Sequence, residues 1–487
     1  LLCIMVDFLN AYISNSWLYV TLLVIYVFSI LTIISVVVSE NRSPVKSLAW
    51  VTVLVLFPLL GIFLYVFFGR SIKNKRMISR RNRRRLRRLE SPKKIKYDIV
   101  NLSPDSLQQI QLARALGGAN YYPGNDFEVF TSGEKKFRRL LDDIAKAKQS
   151  INMQYYIISN DALGQKVKDA LIAAAKRGVT VRVIYDHVGS FSTKGIFFQE
   201  MRAAGVQAYP FFRVAFPFFG TRINWRNHRK ICIIDDSIGY IGGMNVADRY
   251  IDGGHFDVWR DTHIRITGPA VGALLYSFAV DWNFMGQPLF SFDISQQISN
   301  HPDTSKAGMQ LLTSGPTSQW NNIAFLFVKA IGNAKKRVFI QTPYFLPTES
   351  LLRALQTAAL SGVDVRIMMP RHSDSRMLDA ASHSYMIECM QAGIKMYFYE
   401  KGMLHAKMMV VDDEFVTIGS TNFDFRSFEH NFEANMLIYS KQANAKLREV
   451  FQRDINDSRR VTIQEWKKRP LLKKAAESIL RLLSPIL

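Results

Sequence analysis

Two long apolar runs open the chain. Trp17 to Val38 carries no charged residue, and Ser47 to Gly69 repeats the pattern after a short polar connection, Ser39 to Lys46. As a helix rising ~1.5 Å per residue, each run reaches about 33 Å, enough to cross a hydrocarbon core of about 30 Å. The first is too long for the apolar core of a cleaved leader, lacks a basic start, and is followed at once by a second run. Residues 1–69 therefore predict a transmembrane hairpin, with Pro44 helping to keep its two helices apart.

Beyond residue 125 the period changes. Short apolar strands alternate with helix-like stretches, and their order occurs twice. Phe137 to Lys148 leads into the strand Ser150 to Tyr156, as Phe325 to Lys335 leads into Arg337 to Gln341. Ala170 to Ala174 with Gly178 to Arg182 matches Ala354 to Ala358 with Gly362 to Arg366. Ala204-Gly205-Val206 matches Ala392-Gly393-Ile394. Such alternation predicts a mostly parallel or mixed sheet covered on both faces. The expected fold class is α/β: two pseudo-symmetric sandwich halves, residues 126–303 and 304–456, preceded by the hairpin.

Charge separates the remaining segments. The formal net charge is +23, and much of it falls between Arg70 and Lys96, where Glu90 is the main opposing residue. A run this basic fits nucleic acid or an anionic membrane surface. Its place directly after an apolar hairpin selects the membrane, so no nucleic-acid partner is expected. Residues 70–125 read as a basic juxtamembrane linker, worth about 1 kcal/mol per charge near anionic lipid. The positive-inside rule then puts everything after it in the cytoplasm. Residues 457–487 form a basic and apolar tail, suited to the membrane surface or to packing on the preceding domain. Residues 211–219 form a phenylalanine-rich loop, interrupted by Pro217, that could admit acyl chains or lie in the core. Cys3, Cys232 and Cys389 are too scattered for a disulfide framework or a Cys-rich metal site.

The chemistry sits at the end of each half. His-x-Lys-x-x-x-x-Asp occurs as His228, Lys230 and Asp235, and again as His405, Lys407 and Asp412. Residues two apart on a strand share a face, so each His–Lys pair should project together. Asp235 and Asp412 fall where hairpin turns are expected, where they could orient a neighbour or cap the turn. Gly242-Gly243 and Gly419-Ser420 follow, and both glycines before them allow close backbone approach to an anion. Asn245 and Asn422 can donate to a phosphoryl oxygen. Asp261 and Glu433 each follow their motif at a comparable interval and are candidates to hold a histidine ring. One histidine would attack phosphorus and the other would handle protons, with the lysines and asparagines stabilising the oxygens. No metal or other cofactor is called for: the two lysines supply the positive charge.

These paired motifs resemble the phospholipase D superfamily, whose members build one active site from two such half-motifs. The anchor, Asn41 to Trp50 followed by Phe57 to Tyr65 and Phe68-Gly69-Arg70, is similar to that of bacterial cardiolipin synthases, as is the ending Arg481 to Pro485. The resemblance spans almost the whole chain. It implies a multi-pass protein of the bacterial inner membrane with its catalytic domain in the cytoplasm. It also implies transfer of a phosphatidyl group between two phosphatidylglycerols through a covalent phosphatidyl-histidine, with the first-motif histidine as nucleophile. The alternative is a membrane-anchored phospholipase D or nuclease that uses water as acceptor.

Overall fold

A computed structural model describes residues 16–39, 44–57, 61, 65, 77, 79–90, 102–213, 225–293, 303, 306–482 and 484. The chain divides into two compact units, residues 1–71 with 215–224, and residues 72–214 with 225–487. In the smaller unit, α1 (Ser16–Ser39) and α2 (Pro44–Leu56) pack against each other. Leu54 is wholly buried there beside Tyr65, whose ring meets Trp50 edge-on at 5.2 Å between centroids. Along α1 Leu22, Leu23, Val24, Ile25, Val27, Phe28 and Leu31 stay exposed. Among the described residues no helix is long and apolar enough to cross a membrane. The side chains of residues 32, 33 and 36–39, and most of the second apolar run beyond Phe57, lie outside that description.

The larger unit opens with α3 (Arg80–Glu90) and α4 (Pro104–Gly117). The first half follows as β1 (Tyr122–Phe130), α5 (Gly133–Lys146), β2 (Ser150–Tyr155), α6 (Ala162–Lys176), β3 (Thr180–Asp186), α7 (Gly195–Ala203) and β4 (Gln207–Phe211). It continues through β5 (Ile231–Ile234), β6 (Ile238–Gly242), α8 (Arg249–Asp252), β7 (Trp259–Arg260), β8 (His263–Thr267) and α9 (Val271–Phe284). The second half runs β9 (Ala307–Ser314), α10 (Asn322–Gly332), β10 (Arg337–Gln341), β11 (Phe345–Leu346), α11 (Glu349–Leu360), β12 (Asp364–Pro370), α12 (Arg376–Gln391) and β13 (Lys395–Tyr399). Then come β14 (Met403–Leu404), β15 (Met408–Val411), β16 (Phe415–Gly419), β17 (Phe423–Asp424), α13 (Phe425–Glu429), β18 (Glu433–Tyr439) and α14 (Lys441–Asn456). The tail forms β19 (Ser458–Arg460), α15 (Ile463–Lys467) and α16 (Leu471–Leu482).

The two halves share one mixed sheet of 15 strands, in the order β19-β13-β12-β10-β15-β16-β18-β9-β1-β8-β6-β5-β2-β3-β4. Read outward from the β9·β1 junction, each half has the same sequence of strands, which is the pseudo-twofold. Asn125, 1% exposed, ties the junction: its Nδ2 donates to the Tyr122 and Ala307 carbonyls at 2.7 and 3.1 Å, and its Oδ1 accepts from Ala270 N at 2.8 Å.

Strand alternation sorts the core. Ile231 and Ile233 of β5, with Met408 and Val410 of β15, face one apolar cluster common to both halves. Helices α9 and α14 cover it through Leu274, Phe278, Leu447 and Phe451. The intervening Cys232 and Ile234 face a second cluster, built mainly from the first half, and Met409 and Val411 a third, built mainly from the second. The segment 70–125 holds more than a linker. Leu86 of α3 is fully buried in the shared cluster, while Arg80, Arg81, Arg83, Arg84, Arg85 and Arg88 stay exposed. Helix α4 starts at an N-cap, with Ser103 Oγ accepting from Ser106 N at 3.2 Å, and buries Ile110 and Ala113 in the second half. Phe211 of the phenylalanine-rich stretch is fully buried, packed against Phe284 and Phe432, and residues 214–219 lie outside the described residues.

Candidate active site

Neither motif histidine lies inside a strand. His228 and Lys230 occupy the link leading into β5, and His405 and Lys407 the link between β14 and β15. Each link is held by the opposite half. Asn227 bridges Phe432, with His228 N donating to the Phe432 carbonyl at 2.9 Å and Phe432 N to the Arg226 carbonyl at 2.8 Å. In the symmetric place β14 pairs with β7 in parallel, and His405 N donates to the Arg260 carbonyl at 2.7 Å.

That exchange decides which carboxylate meets which histidine. Glu433 follows Phe432, and Asp261 follows Arg260, so each acid arrives beside the other half's ring. His228 Nδ1 lies 3.0 Å from Glu433 Oε1, and His405 Nδ1 lies 2.6 Å from Asp261 Oδ2. A carboxylate only accepts, so the ring nitrogen facing it carries a proton, and Nε2 is the nitrogen left for the substrate. The intervals along the chain had suggested comparable roles for Glu433 and Asp261, but not this crossing.

The two pairs differ electrostatically. Burial pushes Asp261 up to about 6, partly opposed by Lys407 and by the amide of Thr262, which donates at 2.6 Å. Burial also works against ionised Glu433, but the neighbouring His228, Lys230 and Ser420 outweigh it and hold that carboxyl below its usual range. The Ser420 hydroxyl donates to Glu433 Oε2, and Asn431 Nδ2 donates to Oε1 at 3.3 Å. Its counterpart Gly243 has no such donor. A Cβ there would fall 2.2 Å from Asp261 Oδ1, so the carboxylate itself fills the position.

Both lysines are buried, and Nζ of each donates to the carbonyl of its own histidine, at 2.6 Å for Lys230 and 2.5 Å for Lys407. Lys407 Nζ also lies 2.7 Å from His405 Nδ1 and 3.0 Å from Nε2, against the ring. Burial depresses Lys230 far below the ordinary ammonium range and Lys407 to about 8, with Asp261 and Glu433 opposing. Burial likewise lowers both histidines, His405 further because Lys407, Lys230 and His228 surround it. The crossed contacts bring the two motifs into one site.

Asp235 and Asp412 do not join them, a correction to their expected place in the catalytic set. They stand at the far ends of β5 and β15, with φ of 49° and 47°. Asp235 accepts from Lys148, Gln149 and Ser150 backbone amides at 2.7–3.1 Å, and Asp412 from Lys335, Lys336 and Arg337 at 2.7–3.2 Å. The glycines preceding Gly243 and Ser420 are explained by packing rather than by anion approach. A Cβ on Gly242 would meet His263 Cα at 2.5 Å, and one on Gly419 the Ala434 carbonyl at 2.3 Å.

Asn245 is anchored, with Oδ1 accepting from Ile157 N at 3.1 Å and Nδ2 donating to Tyr250 Oη at 2.9 Å. One amide proton is left over. Asn422 Oδ1 is buried without a hydrogen-bond partner among the described residues. Sequence reasoning missed the aromatic walls. Tyr156 meets the His228 ring edge-on at 5.0 Å, while Trp259 and Tyr250 stand 5.5 and 6.1 Å from His405. Tyr156 ends the strand of the first repeat and Trp259 precedes Asp261 by two residues, a signal available in the sequence. Among the described residues no group of three or more His, Cys, Asp or Glu side chains could hold a metal ion.

Paired His–Lys links, each closed by a carboxylate from the opposite half of one α/β body, define a phosphoryl-transfer site of the phospholipase D type. Residues 140–263 and 327–455 match the family described as "Cardiolipin synthase, PLD-like domain", and residues 24–70 match "Phospholipase_D-nuclease N-terminal". The chain is 41% identical over 471 residues to the major cardiolipin synthase ClsA of Bacillus subtilis (strain 168), covering 95% of this chain and 98% of that protein. It is 38% identical over 457 residues to cardiolipin synthase 2 of Bacillus anthracis, covering 93% and 89%. The fold is shared with phosphatidylserine synthase of Haemophilus influenzae Rd KW20, at a TM-score of 0.59 and 14% identity over 78% of this chain and 98% of that one. The chain belongs to the bacterial cardiolipin synthase family of phospholipase D-like proteins.

Proposed function

We propose that this protein transfers a phosphatidyl group from one phosphatidylglycerol to the free hydroxyl of another, giving cardiolipin and glycerol. The observation that carries the chemistry is the crossed pair of histidine–carboxylate contacts. Nε2 of His228, its Nδ1 proton held by ionised Glu433, attacks phosphorus. The bond to the departing glycerol oxygen breaks as His405, protonated on both ring nitrogens for this step with Asp261 facing Nδ1, delivers its Nε2 proton to that oxygen. A phosphatidyl-histidine remains. His405 then takes the proton of the incoming hydroxyl, whose oxygen displaces His228 Nε2 from phosphorus. Lys230, Lys407, Asn245 and Asn422 stabilise the oxygens that gain charge. His228 is the better nucleophile of the two because Ser420 and Asn431 keep its carboxylate partner ionised. The two apolar segments of residues 1–69 anchor the protein in the bacterial cell membrane as a hairpin. The arginine-lined segment after them stays on the cytoplasmic side, against anionic lipid.

The test is incubation of the purified protein in phosphatidylglycerol vesicles without added metal or nucleotide, with lipid products resolved by mass spectrometry. Cardiolipin with equimolar glycerol is expected. Phosphatidic acid as sole lipid product would replace this reading with a hydrolase. Rapid quenching of the wild-type protein at alkaline pH during turnover should trap the phosphatidyl group on a peptide containing His228, and a label on any other residue would refute the nucleophile assignment.

A further inference from the structure

Helix α16 is amphipathic the wrong way round for a helix packed on a soluble domain. Leu471, Leu472, Ala475, Ile479 and Leu482 recur at the spacing of one helical face. That face points outward, with Leu471, Leu472, Ile479 and Leu482 exposed by 81%, 87%, 62% and 79%. The face turned to the protein is polar. Glu477 is 2% exposed, takes Arg469 at 2.6 Å and stands 3.7 Å from His383 Nδ1. Arg481 pairs with Glu388 at 2.6 Å and lies over the Tyr385 ring at 4.1 Å. Ser484 meets Tyr385 Oη at 3.4 Å, and Leu480 adds an apolar contact. These ion pairs and ring contacts fix the helix on α12 in one rotation, so the apolar face cannot turn inward without breaking them.

Cations gather at the N-terminal end of this helix. Lys467, Lys468 and Lys473 are all exposed, and Lys474 bends back to donate to the Lys467 carbonyl at 2.7 Å. An apolar stripe bordered by solvated lysines is complementary to an anionic bilayer surface, with leucines at the acyl boundary and ammonium groups among the phosphates.

We infer that α16 is a second membrane contact of this protein: a docked interfacial helix that seats the catalytic body on anionic lipid through Leu471, Leu472, Ile479 and Leu482. It rests on the lipid-substrate reading only for the kind of surface involved. The test uses the full chain reconstituted in vesicles, with Leu472→Cys or Ile479→Cys carrying an environment-sensitive fluorophore in a Cys3→Ser background. Spin-labelled lipids with the label near the headgroup end of the acyl chain should quench the fluorophore roughly twofold in vesicles containing phosphatidylglycerol. The quenching should weaken in purely zwitterionic vesicles, and in the Lys467→Glu/Lys468→Glu/Lys473→Glu variant. A fluorophore that stays water-exposed and unquenched would overturn the inference. So would one shielded from water yet insensitive to the spin-labelled lipids, the result expected if a second copy covered the face. Quenching does not depend on turnover. Cardiolipin formation measured in the same vesicles therefore reports separately on the proposed reaction.

Discussion

At the scale of single residues, the site is a pair of charge balances built differently. Asp261 must be ionised to accept the Nδ1 proton of His405, so activity should fall as pH drops through about 6. Lys407 must be protonated to hold a phosphoryl oxygen, so activity should also fall as pH rises through about 8. A bell-shaped profile of kcat/KM between those limbs is expected, and Asp261→Asn should erase the acid limb while leaving the basic one. Glu433→Gln should lower kcat by about 10²- to 10⁴-fold with little change in KM, because it disarms His228 without touching lipid. Ser420→Ala removes a donor that keeps Glu433 ionised, so kcat should fall while the acid limb set by Asp261 stays in place. An unchanged kcat would separate Ser420 from the proton balance. The His–Lys pairs were legible from their spacing, whereas for the acids spacing gave only candidates, with Asp248, Asp252 and Asp257 competing with Asp261. The crossing was not, because Glu433 and His228 are 205 residues apart and meet only when the two halves pair. Neither Ser420 nor Gly243 shows its purpose until Asp261 is seen filling the space beside Gly243.

At the scale of elements, the motif aspartates and the basic helix make the clearest demands. Asp235→Ala and Asp412→Ala each strand three backbone amides at the start of β2 or β10. Each should cost about 1–3 kcal/mol in thermal or denaturant unfolding, while kcat of the surviving fold stays near wild type at low temperature. A large fall in kcat without loss of stability would return them to the chemistry. Leu86→Ala should cost about 2–4 kcal/mol by leaving a cavity between α3 and α9, although it sits among arginines that look like solvated linker. Charge dominated the reading of that stretch, yet Leu86 and Leu89, three apart, mark a helical face. The Ser103-Pro104-Asp105 start of α4 was equally visible as an N-cap followed by proline at the first helical turn. Repeats and strand–helix alternation were legible because each half must bury two faces of one sheet. Where each link leaves its strand was not, since that depends on hydrogen bonds supplied by the other half.

At the scale of the whole molecule, the β9·β1 junction and the two crossing links make the body one structural and chemical unit. The sequence repeat announced two halves, and the family match places them within bacterial cardiolipin synthases, but the continuous sheet emerges only from Asn125 and its neighbours closing the seam. Gly243→Ser tests how tightly the crossing is set: it should drive the first half's carboxylate out of place and silence the histidine of the second. Loss of cardiolipin formation with unchanged secondary structure by circular dichroism is the expected result. The crossing has a genetic reading as well. A lesion at Glu433 and a lesion at His228 disable the same ring, so the two alleles fall in one functional group despite lying in different repeats. Chains carrying His228→Ala and chains carrying His405→Ala, produced together in one cell, should stay inactive, because neither allele can lend its intact repeat to the other.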